Sequence, residues 1–190
     1  MEKNLFEMNL EELWQLFPIF LTEHQEHWKD WYNEEETVLK EILPSDKIKR
    51  ISHMGSTAIN GIWAKPIIDI LVEVSAGNDL QPFKTMLLEA GYLCMSEDER
   101  RISFNKGYTK NGFAERVYHL HLRREGDHDE LYFRDYLNEY PAIATKYETL
   151  KLGLWKQYEH NRDAYTESKT DFIKEQTRLA RLAFGDRYED

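Results

Sequence analysis

His53-Met-Gly-Ser-Thr-Ala-Ile-Asn-Gly-Ile-Trp-Ala-Lys-Pro-Ile-Ile-Asp-Ile-Leu-Val-Glu-Val74 decides the fold. Its second half, from Ile67, is β-branched and almost continuously apolar, and is bounded by Pro66 and Gly77. Such a run reads as an interior strand covered on both faces. Alternation puts Asp69, Leu71 and Glu73 on one face, and Ile68, Ile70 and Val72 on the other. A carboxylate there is costly to bury unless it is paired or binds a metal. Asp69 is therefore the leading catalytic candidate, with Glu73 a second one near the strand end. The first half closes a preceding strand, Lys47 to Met54, at Gly55-Ser56. A glycine at that point allows close backbone approach, and the N–H groups of the following turn suit a phosphate. Ser56 and Thr57 add hydroxyl donors. Neither a Walker A loop nor a Gly-x-Ser-x-Gly elbow is present, so Ser56 has no support as a covalent nucleophile.

Outward from this stretch, helical and extended segments follow one another. Asn9 with Glu12 three residues on forms a capping-box pattern ahead of a short helix. Pro18 to Thr22 is expected to be a strand. Trp28, Trp31, Tyr32, Val38, Leu39 and Ile42 recur at helical spacing up to Pro44. Asn78 to Ala90 is an amphipathic helix stopped by Gly91. Three short strands are expected near 92–95, 101–106 and 116–123. Helices are expected over 129–140, over 141–158 with Pro141 opening the second, and from Asp163 to before Gly185. The class is α+β: a mixed sheet flanked by helices, with a helical C-terminal part. In Val117-Tyr-His-Leu-His-Leu122, His119 and His121 stand at i and i+2 and share a strand face, where they can converge on one ion or phosphate.

Composition narrows the function classes. The chain has 190 residues, 41% of them hydrophobic and 13% aromatic, which suits one folded domain. A net charge of −10 argues against general nucleic-acid binding. Seven cations lie between Arg100 and Arg124 against the single anion Glu115. They are either a local sector for a polyphosphate or solvated strand-edge charges. Cys94 is the only cysteine, which fits a reducing compartment, and neither a spanning apolar run nor a signal-peptide pattern at Met1–Asn4 is seen. A cytoplasmic protein away from membranes is expected.

The stretch from His53 to Val72 resembles the signature of the GrpB family. His119-Leu-His-Leu122, Phe133-Arg-Asp-Tyr-Leu137 and Tyr165-Thr-Glu-Ser-Lys-Thr-Asp-Phe-Ile173 resemble the later motifs of that family. The resemblance covers nearly the whole chain from Pro18, so residues 1–17 are expected to be an added helical extension on a domain of residues 18–190. It implies the nucleotidyltransferase superfamily, whose pattern is a hydrophobic residue, Gly, Gly or Ser, a spacer of about a dozen residues, and alternating carboxylates. By resemblance Gly55 and Ser56 grip the distal phosphates, Asp69 binds Mg²⁺, Lys65 neutralises phosphate charge, and Tyr165 and Lys169 face the nucleotide cleft from the last helix. Leu71 stands where the second carboxylate belongs, and a two-metal site needs several oxygen ligands.

Three functions follow from this pattern. The first is a metal-dependent transfer of a nucleotidyl group from an NTP to an acceptor. The second is a degenerate fold that binds a nucleotide or another phosphorylated small molecule. The third is a Zn²⁺ or Mn²⁺ enzyme built on His53, Asp69, His119 and His121. Nothing in the sequence selects an acceptor, a nucleobase or an oligomeric state.

Overall fold

The computed structural model describes residues 5–189, Phe6 by its backbone alone. The expectation about Met1–Asn4 lies outside the described residues. Among those residues no helix is long and apolar enough to cross a membrane.

The elements in chain order are α1 (Leu10–Leu16), α2 (His27–Ile42), β1 (Ile48–Met54), β2 (Ile68–Val74), α3 (Gln81–Glu89), β3 (Leu93–Glu97), β4 (Arg101–Thr109), β5 (Gly112–Arg124), α4 (Asp129–Glu139), α5 (Pro141–Tyr158), α6 (Arg162–Glu167) and α7 (Thr170–Phe184). The five strands form one sheet in the order β1-β2-β5-β4-β3. Only the β2/β5 pair is parallel; β1/β2, β4/β5 and β3/β4 are antiparallel. This is the expected α+β class: a mixed sheet flanked by helices and followed by a helical C-terminal part.

The two faces of the sheet have different chemistry. Ile68, Ile70, Val72, Ile102, Phe104, Leu120 and Leu122 pack with Trp28 and Leu39 of α2 and with Phe83 and Leu87 of α3 in one buried cluster. The other face carries Asp69, Leu71 and Glu73 beside His119, His121 and Arg123 of β5. At its β1 edge Met54 and Leu71 pack against Leu131 of α4.

Three local expectations need correction. Pro18 to Thr22 is not a strand. Thr22 makes an isolated bridge with Ala64, and Ile19 donates to the carbonyl of Glu159. Pro18 has no N–H to give, and one bonded pair with Ala64 and one bond to Glu159, on two separate segments, build no ladder. Next, β4 and β5 are longer than expected, because they meet in a tight hairpin whose last pair is Thr109 with Gly112. A bulge at Gly107 permits this: its φ is 89°, and a Cβ there would stand 2.2 Å from the carbonyl oxygen of Arg116. Finally, the last helix is two. Ser168 Oγ and Thr170 Oγ1 bond back to the carbonyls of Ala164 and Thr166, a competition that interrupts regular helix.

The capping box is present, with Asn9 Oδ1 accepting from the Glu12 N–H and Glu12 accepting from the Asn9 N–H. His53 lies on the apolar-face side of β1, opposite Ile70. Its ring stacks on Tyr32 at 4.8 Å and bonds to Thr57 Oγ1 at 2.9 Å. Burial pushes the His53 imidazole down from 6.5 to about 4, and Arg134 adds to this while Asp69 opposes it. The native state therefore binds fewer protons than the unfolded chain between those values. The resulting stability is present above about pH 6.5 and is lost as pH falls through about 4, roughly 1–3 kcal/mol for a half-buried ring. Replacing His53→Gln should flatten the pH dependence of urea unfolding across that window relative to the parent. Equal slopes would refute the assignment.

Candidate functional site

The polar face of the sheet opens into a cleft of about 750 Å³ between the ends of β2 and β5 and the helices α4 to α7. Met54, Gly55, Ser56, Lys65, Asp69, His119 and His121 line its floor, and Lys151, Arg162, Tyr165 and Lys169 line its helical side.

Asp69 is the centre. Its strand neighbours are Met54 on β1 and His119 on β5. Gly55 then turns the chain with φ 71° and ψ −169°, a region open essentially to glycine alone. A Cβ on Gly55 would stand 2.2 Å from Asp69 Oδ2. The glycine is thus needed to make room for the carboxylate, as well as for approach by a ligand.

Two histidines face Asp69. His119 Nδ1 is 3.4 Å and His121 Nε2 is 3.7 Å from Oδ1. On its far side, His119 Nε2 lies 2.8 Å from the Tyr108 hydroxyl, which accepts from Arg162 at 3.2 Å. One tautomer satisfies the chain: Tyr108 donates to Nε2, and Nδ1–H is directed at Asp69. Burial keeps His119 below the usual histidine range, in keeping with that neutral form. Burial also pushes Asp69 up, but the polar interaction with the His119 and His121 imidazoles outweighs it, and the carboxyl sits well below the usual range. Asp69 is ionised at neutral pH.

Around this anion the cleft is cationic. Arg178 pairs with Glu175, and Arg181 pairs with Asp129. Lys65, Lys151, Arg162, Lys169 and Lys174 also line the cleft, and among the described residues none of the five has a carboxylate at salt-bridge distance. Tyr165, 1% exposed, organises two of them, with Lys65 Nζ 5.3 Å and Lys169 Nζ 4.7 Å from its ring centre. Lys151 is fully buried, donates to the Trp63 carbonyl and lies 4.9 Å over Tyr147. Burial, with Lys169 and Arg162 beside it, pushes Lys65 down to about 7. Burial, with Lys169 nearby, does the same to Lys151.

The sequence model of the family described as GrpB protein matches residues 18–178. The chain belongs to the GrpB family. It is 36% identical to the Glutamate-rich protein GrpB of Alkalihalophilus pseudofirmus over 83% of this chain and 92% of that one. It is 33% identical to the UPF0157 protein YqkA of Bacillus subtilis over 80% of this chain, which spans 44% of that longer relative. A crystal structure of GrpB from Enterococcus faecalis superposes with a TM-score of 0.74 at 32% identity, covering 87% of this chain and 99% of that one. The overlap with the Cid1 poly(U) polymerase, at a TM-score of 0.49 and 14% identity over 78% of this chain and 46% of that one, is too slight to build on.

In this GrpB-family chain the cleft gathers Gly55, Ser56, Lys65, Asp69, His119, His121, Tyr165 and Lys169. Three other candidates lie outside its walls. His53 and Thr57 bond to each other behind the turn, and Thr57 also donates to the Ile67 carbonyl. Glu73 corrects the expectation of a catalytic or solvated carboxylate. It is 0% exposed, accepts from the Gly126 N–H at 3.0 Å, lies 2.7 Å from His128 Nδ1, and pairs with Arg50 at 3.3 Å. Four residues of strand place it about 13 Å along β2 from Asp69. A four-residue metal centre that includes His53 does not form, and among the described residues no group of three or more His, Cys, Asp or Glu side chains is set to hold a metal.

The cations between Arg100 and Arg124 are also elsewhere. Arg101 binds Asp127, Arg123 binds Glu130, Lys106 binds Glu35 and Arg116 binds Glu34, while Arg124 is held by the carbonyls of Glu99 and Asn78. The charge of the cleft comes instead from Lys65 before β2 and from α5 to α7. Lys151, Arg162 and Lys174 were not readable as site residues, since lysines and arginines on amphipathic helices usually mark solvated faces. The one available signal was Lys151 at an otherwise apolar helical position beside Tyr147 and Leu154.

Two outcomes follow. Gly55→Ala should destabilise the protein by ~2–3 kcal/mol through forbidden backbone and contact with Asp69. Part of that cost should return in the Gly55→Ala/Asp69→Ala double variant, and strict additivity in thermal melts would count against the contact. Second, Lys65 and Lys151 lose charge as pH rises through about 7. ATP affinity should fall between about pH 7 and 8, by roughly tenfold per neutralised lysine, and Lys65→Arg should make the titration curve shallower. An unchanged curve would show that Lys65 does not contact the phosphates.

Proposed function

We propose that the cleft binds a Mg²⁺-nucleoside triphosphate and passes its nucleotidyl group to an acceptor hydroxyl. The observation that supports this best is the gathering of five basic side chains without carboxylate partners in the cleft that holds the ionised Asp69, in a chain of net charge −10. Such a cavity concentrates a polyanion against the field of the whole molecule. Lys65, Lys169 and Arg162 neutralise the phosphates, and Gly55-Ser56 brings backbone close to them. Catalysis in phosphoryl transfer is mostly positioning and charge stabilisation, which these groups can supply.

The donor set limits the metal. Asp69 is the one cleft carboxylate on the strand; Asp129 and Glu130 of α4 also line the cleft but are paired with Arg181 and Arg123, and Leu71, where a second strand carboxylate would stand, is fully buried against Met54 and Leu131. A two-metal arrangement does not fit. A Mg²⁺ that arrives on the triphosphate does fit, because such an ion commonly keeps its waters and takes only one or two protein carboxylates. Asp69 would hold it, and it would supply charge neutralisation between the phosphates. The unpaired Cys94 suits a cytoplasmic setting for this activity.

Leu71 also favours a second reading, in which the same cleft binds a nucleotide or a related phosphorylated metabolite without turnover. Thermal-shift titration with the four NTPs, with and without Mg²⁺, together with assay of pyrophosphate release, separates the two. A bound NTP at one hundred times its Kd should add ~2.7 kcal/mol to stability. Asp69→Asn should abolish the Mg²⁺ dependence of both signals. Turnover that survives this substitution would rule out the proposed role of Asp69, and tight binding without pyrophosphate release with any acceptor mixture would select the second reading.

A further inference from the structure

A second cavity, of about 280 Å³, opens beside the main cleft and shares two walls with it, Lys65 and Ile67. Its other sides are mostly apolar: Pro18, Phe20, Pro66, Phe113 and Val117. Phe20 and Phe113 stand 6.1 Å apart between ring centres.

Strand geometry places the cavity next to the reacting end of the cleft. Ile67 precedes Asp69 by two residues, and Val117 precedes His119 by two. Asp69 and His119 are register partners on β2 and β5. Two residues of strand are about 7 Å and return the side chain to the same face. A molecule seated between Ile67 and Val117 therefore has its inner end about 7 Å from the Asp69–His119 pair, with Lys65 between it and the phosphate-binding cations. At the mouth, Glu115 is exposed and makes no ion pair among the described residues.

We propose that this second cavity is the acceptor subsite, and that it takes a small molecule with a compact apolar or aromatic body, a hydroxyl at its inner end and an amine at the Glu115 end. The inference rests on the reading of the main cleft as a nucleoside triphosphate site. In the transfer the acceptor hydroxyl oxygen bonds to the α-phosphorus. The bond from that phosphorus to the α–β bridging oxygen breaks, pyrophosphate leaves with the electron pair, and the hydroxyl proton passes to solvent. The apolar walls and the carboxylate at the mouth are unsuited to a polynucleotide acceptor, which would need cations along its backbone and stacking room for successive bases.

The test uses the full chain and two probes of similar size, tyramine and 4-hydroxyphenylacetate, which carry opposite charges. Binding is followed by ligand-observed NMR, and the affinity of a non-hydrolysable ATP analogue with Mg²⁺ is measured in parallel. A ligand of this size should bind with a Kd of ~1–10 mM. Tyramine is expected to bind at least about fivefold more tightly than the acid. Ala114→Trp, which fills the exposed wall, should abolish tyramine binding, and Glu115→Gln should remove the preference between the probes, both with ATP-analogue affinity unchanged. Equal binding of the two probes, or tyramine binding untouched by Ala114→Trp, would overturn the proposal while leaving the nucleotide reading intact. Failure of the ATP analogue to bind, with tyramine still held in an Ala114→Trp-sensitive site, would overturn the nucleotide reading and with it the acceptor role.

Discussion

Asp69 Oδ2 occupies the space where any side chain on Gly55 would begin. An ionised carboxylate in an interior strand is tolerable only if it is solvated by something other than water. Here that environment is built from several elements: the missing side chain at Gly55, the N–H groups of His119 and His121 from the neighbouring parallel strand, and the cations brought in by the C-terminal helices. The β1/β2 register, which pairs Met54 with Asp69, brings Gly55 against the carboxylate, and the β2/β5 register sets Asp69 opposite His119. A one-residue slip would turn both histidines to the apolar face, and Asp69 would be left buried without partners.

The same logic explains how a strongly acidic chain builds a basic cleft. The acidic residues are spread over the surface and along ion pairs, while the cleft draws its basic residues from the connection before β2 (Lys65), α5 (Lys151), the start of α6 (Arg162), the junction of α6 and α7 (Lys169) and α7 itself (Lys174). That junction is the break in the last helical stretch, and Lys169 stands in it. Tyr165 lies beneath the lysines and offers a ring face instead of a carboxylate. A carboxylate there would have quenched the site; the aromatic face holds the ammonium groups while leaving their charge available.

Much of this was legible in the sequence. Ile67–Val74 could be read because a β-branched run between Pro66 and Gly77 admits few alternatives, and Asp69 because a lone carboxylate in such a run demands an explanation. The pairing of His119 and His121 followed from period two. What was hidden depends on contacts between segments far apart in the chain. Lys151 is a helical lysine like any other until Trp63 and Tyr147 are folded around it. The cations of residues 100–124 looked like a cluster, yet their partners Glu34, Glu35, Asp127 and Glu130 lie outside that segment. Pro18 to Thr22 has the composition of a strand but meets no strand edge with which to form a ladder.

Asp69 and Glu73 make the clearest comparison, because they share a strand, a face and a chemical group and differ only in what surrounds them. Glu73 is enclosed by His128, Arg50 and the Gly126 N–H. Its near-complete burial with charged partners means that losing one of them would cost ~3–5 kcal/mol, so it fastens the far end of β2 to the loop before α4. Asp69 has two histidines facing one oxygen and, among the described residues, no arginine or lysine at salt-bridge distance. Its other oxygen faces the space kept open by Gly55, at the mouth of a cleft filled with unpaired cations. Glu73 takes its hydrogen bonds on Oε1, has only the Arg50 ion pair on Oε2 and is shut off from solvent; Asp69 is held charged and incompletely enclosed. That asymmetry, rather than the presence of an acidic residue in the strand, locates the site at the Asp69 end. Leu71 between them continues the apolar packing of Met54 and Leu131 and keeps the two ends apart.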